Sequence, residues 1–134
     1  MLAALAARND VVVGLVTGNL EPIGRMKLAA SGLIGPFTFG GFGSDHNDRG
    51  ELIRLAVERA CLAHPGLDPT ACAVTHVGDT PFDMKAAATA GAQGIGVTTG
   101  SFSAEKLSEV PGGPWTILDS LADTAGFLHI IGLE

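Results

Sequence analysis

Short apolar runs alternate along the chain with segments of helical period. Apolar, β-branched runs at residues 11–16, 73–77 and 93–97 predict strands, and weaker runs at 37–39 and 115–117 predict two more. These runs are continuous rather than alternating, the pattern of strands covered on both faces. Residues 20–30 place Ile23, Met26, Ala30 and Leu33 at helical spacing, with Pro22 in the first turn and Gly32 as a left-handed stop. Residues 51–63 repeat Leu52, Leu55, Ala56 and Ala60 on one face. A third helix over 82–90 starts after Thr80-Pro81 and ends at Gly91. A last helix is predicted over 118–127 and a short opening one over 1–8. Strands alternating with helices build a parallel sheet with helices against it, so the fold class is α/β.

Composition sharpens this picture. The 134 residues suit one domain spanning 1–134, and 46% hydrophobic residues against 16% charged ones supply a globular core. A formal charge of -6 without a Lys/Arg run removes the attraction that nucleic acid or an anionic membrane would need. No apolar stretch approaches the roughly 20 residues of a membrane-spanning helix, and the first residues lack a basic start and a cleavage pattern, so a cytoplasmic setting is expected. Cys61 and Cys72 have no CxxC spacing and are expected as reduced packing residues. His46, His64, His76 and His129 form no zinc constellation.

In open α/β sheets ligands sit beyond the carboxyl ends of the strands, which singles out three loops. In Leu15-Val16-Thr17-Gly18-Asn19 a strand runs into a helix N-terminus, where backbone N–H groups, the dipole and the Thr17 hydroxyl suit a phosphate oxygen. The structural alternative is a turn merely capped by Thr17 and Asn19. In Val77-Gly78-Asp79-Thr80-Pro81-Phe82-Asp83, two carboxylates four residues apart can face one hard cation such as Mg²⁺. Alternatively Thr80 is an N-cap and Asp83 serves the helix dipole, which leaves Asp79 without a structural task. In Asp45-His46-Asn47-Asp48-Arg49-Gly50-Glu51, Asp48 and Glu51 are spaced as a capping box that would set Arg49 in the first turn, where it could neutralise a phosphate.

In this order the three pieces resemble the later motifs of the haloacid dehalogenase-like (HAD-like) superfamily, and their wording is similar to its phosphoglycolate phosphatase-like branch. The closest match is Gly78-Asp79-Thr80-Pro81-Phe82-Asp83-Met84-Lys85-Ala86-Ala87 with Gly96-Val97-Thr98-Thr99-Gly100, which resembles the acidic metal-binding motif and the strand after it. The resemblance implies a three-layer α/β/α Rossmann-like parallel sheet and hydrolysis of a small phosphorylated metabolite. It implies Thr17, Arg49 and Asp79 as catalytic, Thr17, Gly18, Asn19 and Arg49 as phosphate-binding, and Asp79 and Asp83 as Mg²⁺ ligands. The family's basic residue aligns near Asn47 or Asp48, and its role is carried to Arg49.

The family's nucleophile is an Asp of a DxDxT motif, and no DxDxT occurs in the 134 residues. The resemblance places the strand that bears it between the strands ending at Thr17 and Asp79, so the sheet is expected to be incomplete. The chain is expected to be truncated, inactive alone, and prone to self-association through exposed strand edges. A second reading is a non-catalytic module binding Mg²⁺ or a phospholigand. A nucleotide-binding Rossmann domain is disfavoured because no GxGxxG follows a strand.

Overall fold

A computed structural model describes every residue except Ile34, Pro36 and Glu134. Its elements are α1 (Leu2–Ala6), β1 (Leu15–Thr17), α2 (Glu21–Ser31), β2 (Gly40–Phe42), α3 (Arg49–Ala63), β3 (Thr75–Gly78), α4 (Pro81–Ala90), β4 (Gln93–Val97), α5 (Ala104–Ser108), β5 (Thr116–Leu118) and α6 (Thr124–Ile130). The strands form two parallel sheets, β1-β2 and β3-β4-β5. The chain is thus α/β with parallel sheets, as the alternation of runs predicts. It divides into two compact units, Leu5–Cys72 and Ala73–Glu134 together with Met1–Ala4.

In the unit Leu5–Cys72, β1 pairs with β2 in the register Leu15↔Gly40 to Thr17↔Phe42. Phe42 is the centre of the core, 1% exposed, and α3 buries Leu52, Ile53, Ala56 and Ala60. The sequence predicts the second strand at 37–39, on the aromatic residues, whereas it forms at Gly40–Phe42. Glycine permits the approach that this position demands. A methyl group on Gly40 would fall 2.4 Å from the Leu15 carbonyl oxygen, and one on Gly41 would fall 2.2 Å from that of Leu52. Gly41→Ala is therefore expected to push α3 off the sheet at a cost of about 3 kcal/mol, read as a lower urea unfolding midpoint. Because β2 is only three residues long, residues 11–13 find no ladder partner, which shortens the predicted 11–16 strand to Leu15–Thr17.

Helix α2 keeps its predicted ends: Pro22 opens it and Gly32 closes it at φ 74° with its N–H on the Ala29 carbonyl. Its apolar stripe is not covered, since Ile23, Met26 and Leu33 are 39%, 64% and 43% exposed and Gly24 is the residue it buries. The box predicted for α3 does not close. Asp48 caps the helix by accepting from the Gly50 N–H at 2.7 Å, and Glu51 pairs with Arg54 instead.

In the second unit β4 lies between β3 and β5 in the registers Thr75↔Gln93 and Ile95↔Thr116. Met84, Ala87, Ile95 and Leu107 are fully buried around it. The strand at 93–97 has the bounds predicted. The last helix starts later than expected, at Thr124, because Asp123 accepts from the Gly126 N–H at 2.9 Å and caps it there. The short helix α5 is not among the predicted helices, and Ser103 caps it by accepting from the Lys106 N–H at 3.3 Å. Among the described residues β1 pairs only with β2, and β3 only with β4, so each sheet has one open edge beside a candidate loop. No described helix is long and apolar enough to cross a membrane.

Candidate functional site

Each unit carries one set of candidate residues at the carboxyl end of its first strand. In the unit Leu5–Cys72, Thr17 ends β1 and the chain turns into α2 through Gly18, Asn19 and Leu20. Thr17 Oγ1 accepts two hydrogen bonds, from the Asn19 backbone N–H at 3.1 Å and from Asn19 Nδ2 at 2.9 Å. The Thr17 methyl packs toward Gly24, where a Cβ would fall 3.2 Å from it. A neighbouring loop is tied to this turn by the Gly43 N–H, which donates to the Asn19 carbonyl at 2.8 Å.

Arg49 enters the same region from the first turn of α3. Its guanidinium lies against Gly18: a Cβ there would fall 3.3 Å from Nη2 and 3.7 Å from Nε. The sequence-predicted residues Thr17, Gly18, Asn19 and Arg49 are therefore gathered at one end of the β1-β2 sheet. The loop before α3 is fixed by other groups. Arg59 donates two bonds to Asp45, at 2.8 and 2.9 Å, and the guanidinium holds the Asp45 carboxyl below its ordinary range. His46 Nδ1 accepts from the Asp48 N–H at 2.9 Å, a structural task for a histidine that sequence leaves as a solvated loop residue.

In the second unit β3 ends at Gly78, and Asp79 and Thr80 turn the chain into α4. Here the capping box is present. Thr80 Oγ1 accepts from the Asp83 N–H at 3.3 Å, while Asp83 Oδ2 accepts from the N–H groups of Asp79 and Thr80, at 3.2 and 3.0 Å, and from the Thr80 hydroxyl at 2.7 Å. The other oxygen, Oδ1, faces His76 Nε2 at 3.6 Å, longer than a hydrogen bond. That nitrogen is buried and has no hydrogen-bond partner among the described residues. Burial would raise the Asp83 pKa, but the imidazole and the bonds from Thr80 outweigh it and hold the carboxyl at about 2. At 3.6 Å the imidazole lies beyond hydrogen-bond distance, so the short Thr80 bonds are the firmer contribution.

The two carboxylates of this loop thus differ in kind. Asp83 is 9% exposed with one oxygen saturated by three donors, which is the structural reading of the motif. Asp79 gives only its backbone N–H to the turn and presents its side chain at the surface. Its Oδ2 rests on Gly100, in the loop after β4, where a Cβ would fall 2.2 Å away. A Cβ on Gly100 meets the Asp79 side chain, whose carboxylate can rotate aside, so Gly100→Ala is expected to leave the melting temperature unchanged.

Among the described residues no group of three His, Cys, Asp or Glu is arranged to hold a metal ion. Mg²⁺ binds through one or two carboxylates and fills its remaining positions with water and phosphate, and Asp79 is the exposed carboxylate of this loop. The sequence motif includes Gly100 but not its closeness to Asp79, which depends on the β3-β4 register, and His76, inside the predicted 73–77 strand, carries no sign of its place beside Asp83.

No curated protein matches the chain significantly. The sequence model of the HAD-hydrolase-like family matches residues 49–124, from Arg49 through the Asp79 loop to the start of α6. That match spans more than half of the chain, and the chain belongs to the HAD-hydrolase-like family.

Proposed function

We propose that this chain supplies the phosphate-holding and metal-holding residues of a phosphomonoester hydrolase acting on a small phosphorylated metabolite. The observation that carries the reading is the gathering of Thr17 and the Arg49 guanidinium around Gly18 at a strand end. In this reading Thr17 donates its hydroxyl proton to a phosphoryl oxygen, and Arg49 offsets the charge that accumulates on the transferring group. In the other unit Asp79 would hold Mg²⁺, which would supply Lewis-acid chemistry when bound. Asp83 keeps the Asp79 turn rigid, because its bonds to the Asp79 and Thr80 N–H groups fix that backbone.

The nucleophile in this reading is the first Asp of a DxDxT segment, which the 134 residues do not contain. An added strand of that kind has backbone groups to pair with at the open edge of β1 or at that of β3. Without it, a second copy of the chain is the alternative partner for those edges, and sedimentation at rising concentration would then give a growing mass. Two cysteines left as thiols accord with the reducing cytoplasm in which we place the protein. Hydrolysis of p-nitrophenyl phosphate by the chain with an added DxDxT segment tests the proposal. Mg²⁺-dependent turnover supports it, whereas phosphate and Mg²⁺ binding with no turnover would favour a non-catalytic phospholigand module.

A further inference from the structure

We infer that Lys27, on the second turn of α2, is a positioning residue that commits the Thr17 hydroxyl to donate its proton outward. The inference rests on the reading of Thr17 as a phosphoryl-binding group and adds the device that prepares it. Leu15, Thr17, Asn19, Gly24, Lys27 and Leu28 line a cavity of about 210 Å³. Within it Lys27 Nζ donates to Asn19 Oδ1 at 3.2 Å, Asn19 Nδ2 donates to Thr17 Oγ1 at 2.9 Å, and the Asn19 N–H donates to the same oxygen at 3.1 Å.

The direction of this relay is set by chemistry. An ammonium group can only donate, so the amide oxygen of Asn19 must face Lys27 and its NH₂ must face Thr17. A hydroxyl has two lone pairs and one proton. Both lone pairs of Thr17 are then filled by Asn19, and no acceptor for the proton occurs among the described residues. The group that best completes this arrangement is one that only accepts, as phosphoryl oxygens do. Without Lys27 the Asn19 amide is free to turn over and offer its oxygen to Thr17. The hydroxyl proton would then be consumed inside the protein.

The test uses ¹⁵N–¹H spectra of the full chain, Lys27→Met and Lys27→Arg, each titrated with inorganic phosphate. In the wild type the Gly18 and Asn19 amide signals should move with phosphate, and the Asn19 side-chain NH₂ pair should be shifted and slow to exchange. Lys27→Met is expected to weaken phosphate binding about 5-fold and to release the Asn19 NH₂ pair, with the melting temperature unchanged. Lys27→Arg, which keeps a donor, should restore both. Wild-type phosphate affinity in Lys27→Met, whatever happens to the NH₂ signals, overturns the inference while leaving Thr17 as the binding group. A wild type whose Gly18 and Asn19 signals ignore phosphate overturns the reading of Thr17, and the inference with it.

Discussion

Replacing Asp79 by Asn is expected to lower phosphatase activity of the chain with an added DxDxT segment by about 100-fold or more, with no change in unfolding midpoint. The size follows from the task proposed. A hard cation bound through few protein oxygens loses much of its hold when a charged carboxylate becomes a neutral amide, and the charge on the transferring phosphoryl group is then unmet. The neutral stability follows from the structure. Asp79 is exposed and ties the turn together through its backbone N–H, which the amide variant keeps. Surface substitutions of this sort change stability by roughly 0.5 kcal/mol or less. Initial rates at saturating and limiting Mg²⁺, set beside urea unfolding of the same preparation, measure both quantities.

Asp83, four residues on, should behave in the opposite way. Asp83→Ala removes the acceptor for the Asp79 N–H, the Thr80 N–H and the Thr80 hydroxyl, and breaks the box that starts α4. Lost capping costs about 1 kcal/mol, and donors left buried without an acceptor add about 1–3 kcal/mol, so a loss of about 3 kcal/mol is expected. The same carboxylate sets a pH dependence. Its folded pKa of about 2 lies below the ordinary value of 3.8, so the folded state favours the charged form. Its contribution is complete above about pH 4 and is lost as pH falls toward 2, an effect on the order of 2 kcal/mol. Asp83→Asn should flatten the stability profile across that window. A profile as steep as the wild type's would show that other carboxylates cause the acid loss.

The contrast between these two carboxylates marks how far the sequence could be read. The spacing of Thr80 and Asp83 announces a capping box, but the same letters also suit a second metal ligand. Only the three bonds onto Oδ2 separate the two uses. Strand β4 was legible to the residue because it is an apolar run with neighbours on both sides. Strand β2 was not, since its Gly40 and Gly41 carry low strand propensity and were selected by close backbone approach, which no local pattern reports. Likewise the Asp48 and Glu51 pattern promised a box, yet Arg54 one turn along captured Glu51. The Asp48 and Glu51 spacing set Arg49 at a helix start and the resemblance gave it a phosphate, while its approach to Gly18 follows from the β1-β2 pairing that sets α3 against that sheet. Lys27 gave no signal, because a lysine on a helix ordinarily reads as a solvated side chain. Its meaning comes from the Asn19 turn it reaches back to.

The account depends most on the Thr17 turn receiving a phosphoryl group, and titration with inorganic phosphate measures that directly. Phosphate would be followed at the Gly18 and Asn19 amides of the wild type and of Thr17→Val. The account predicts that both signals move with phosphate in the wild type and that the affinity falls about 10-fold or more in Thr17→Val. Wild-type Gly18 and Asn19 signals that ignore phosphate would contradict the account.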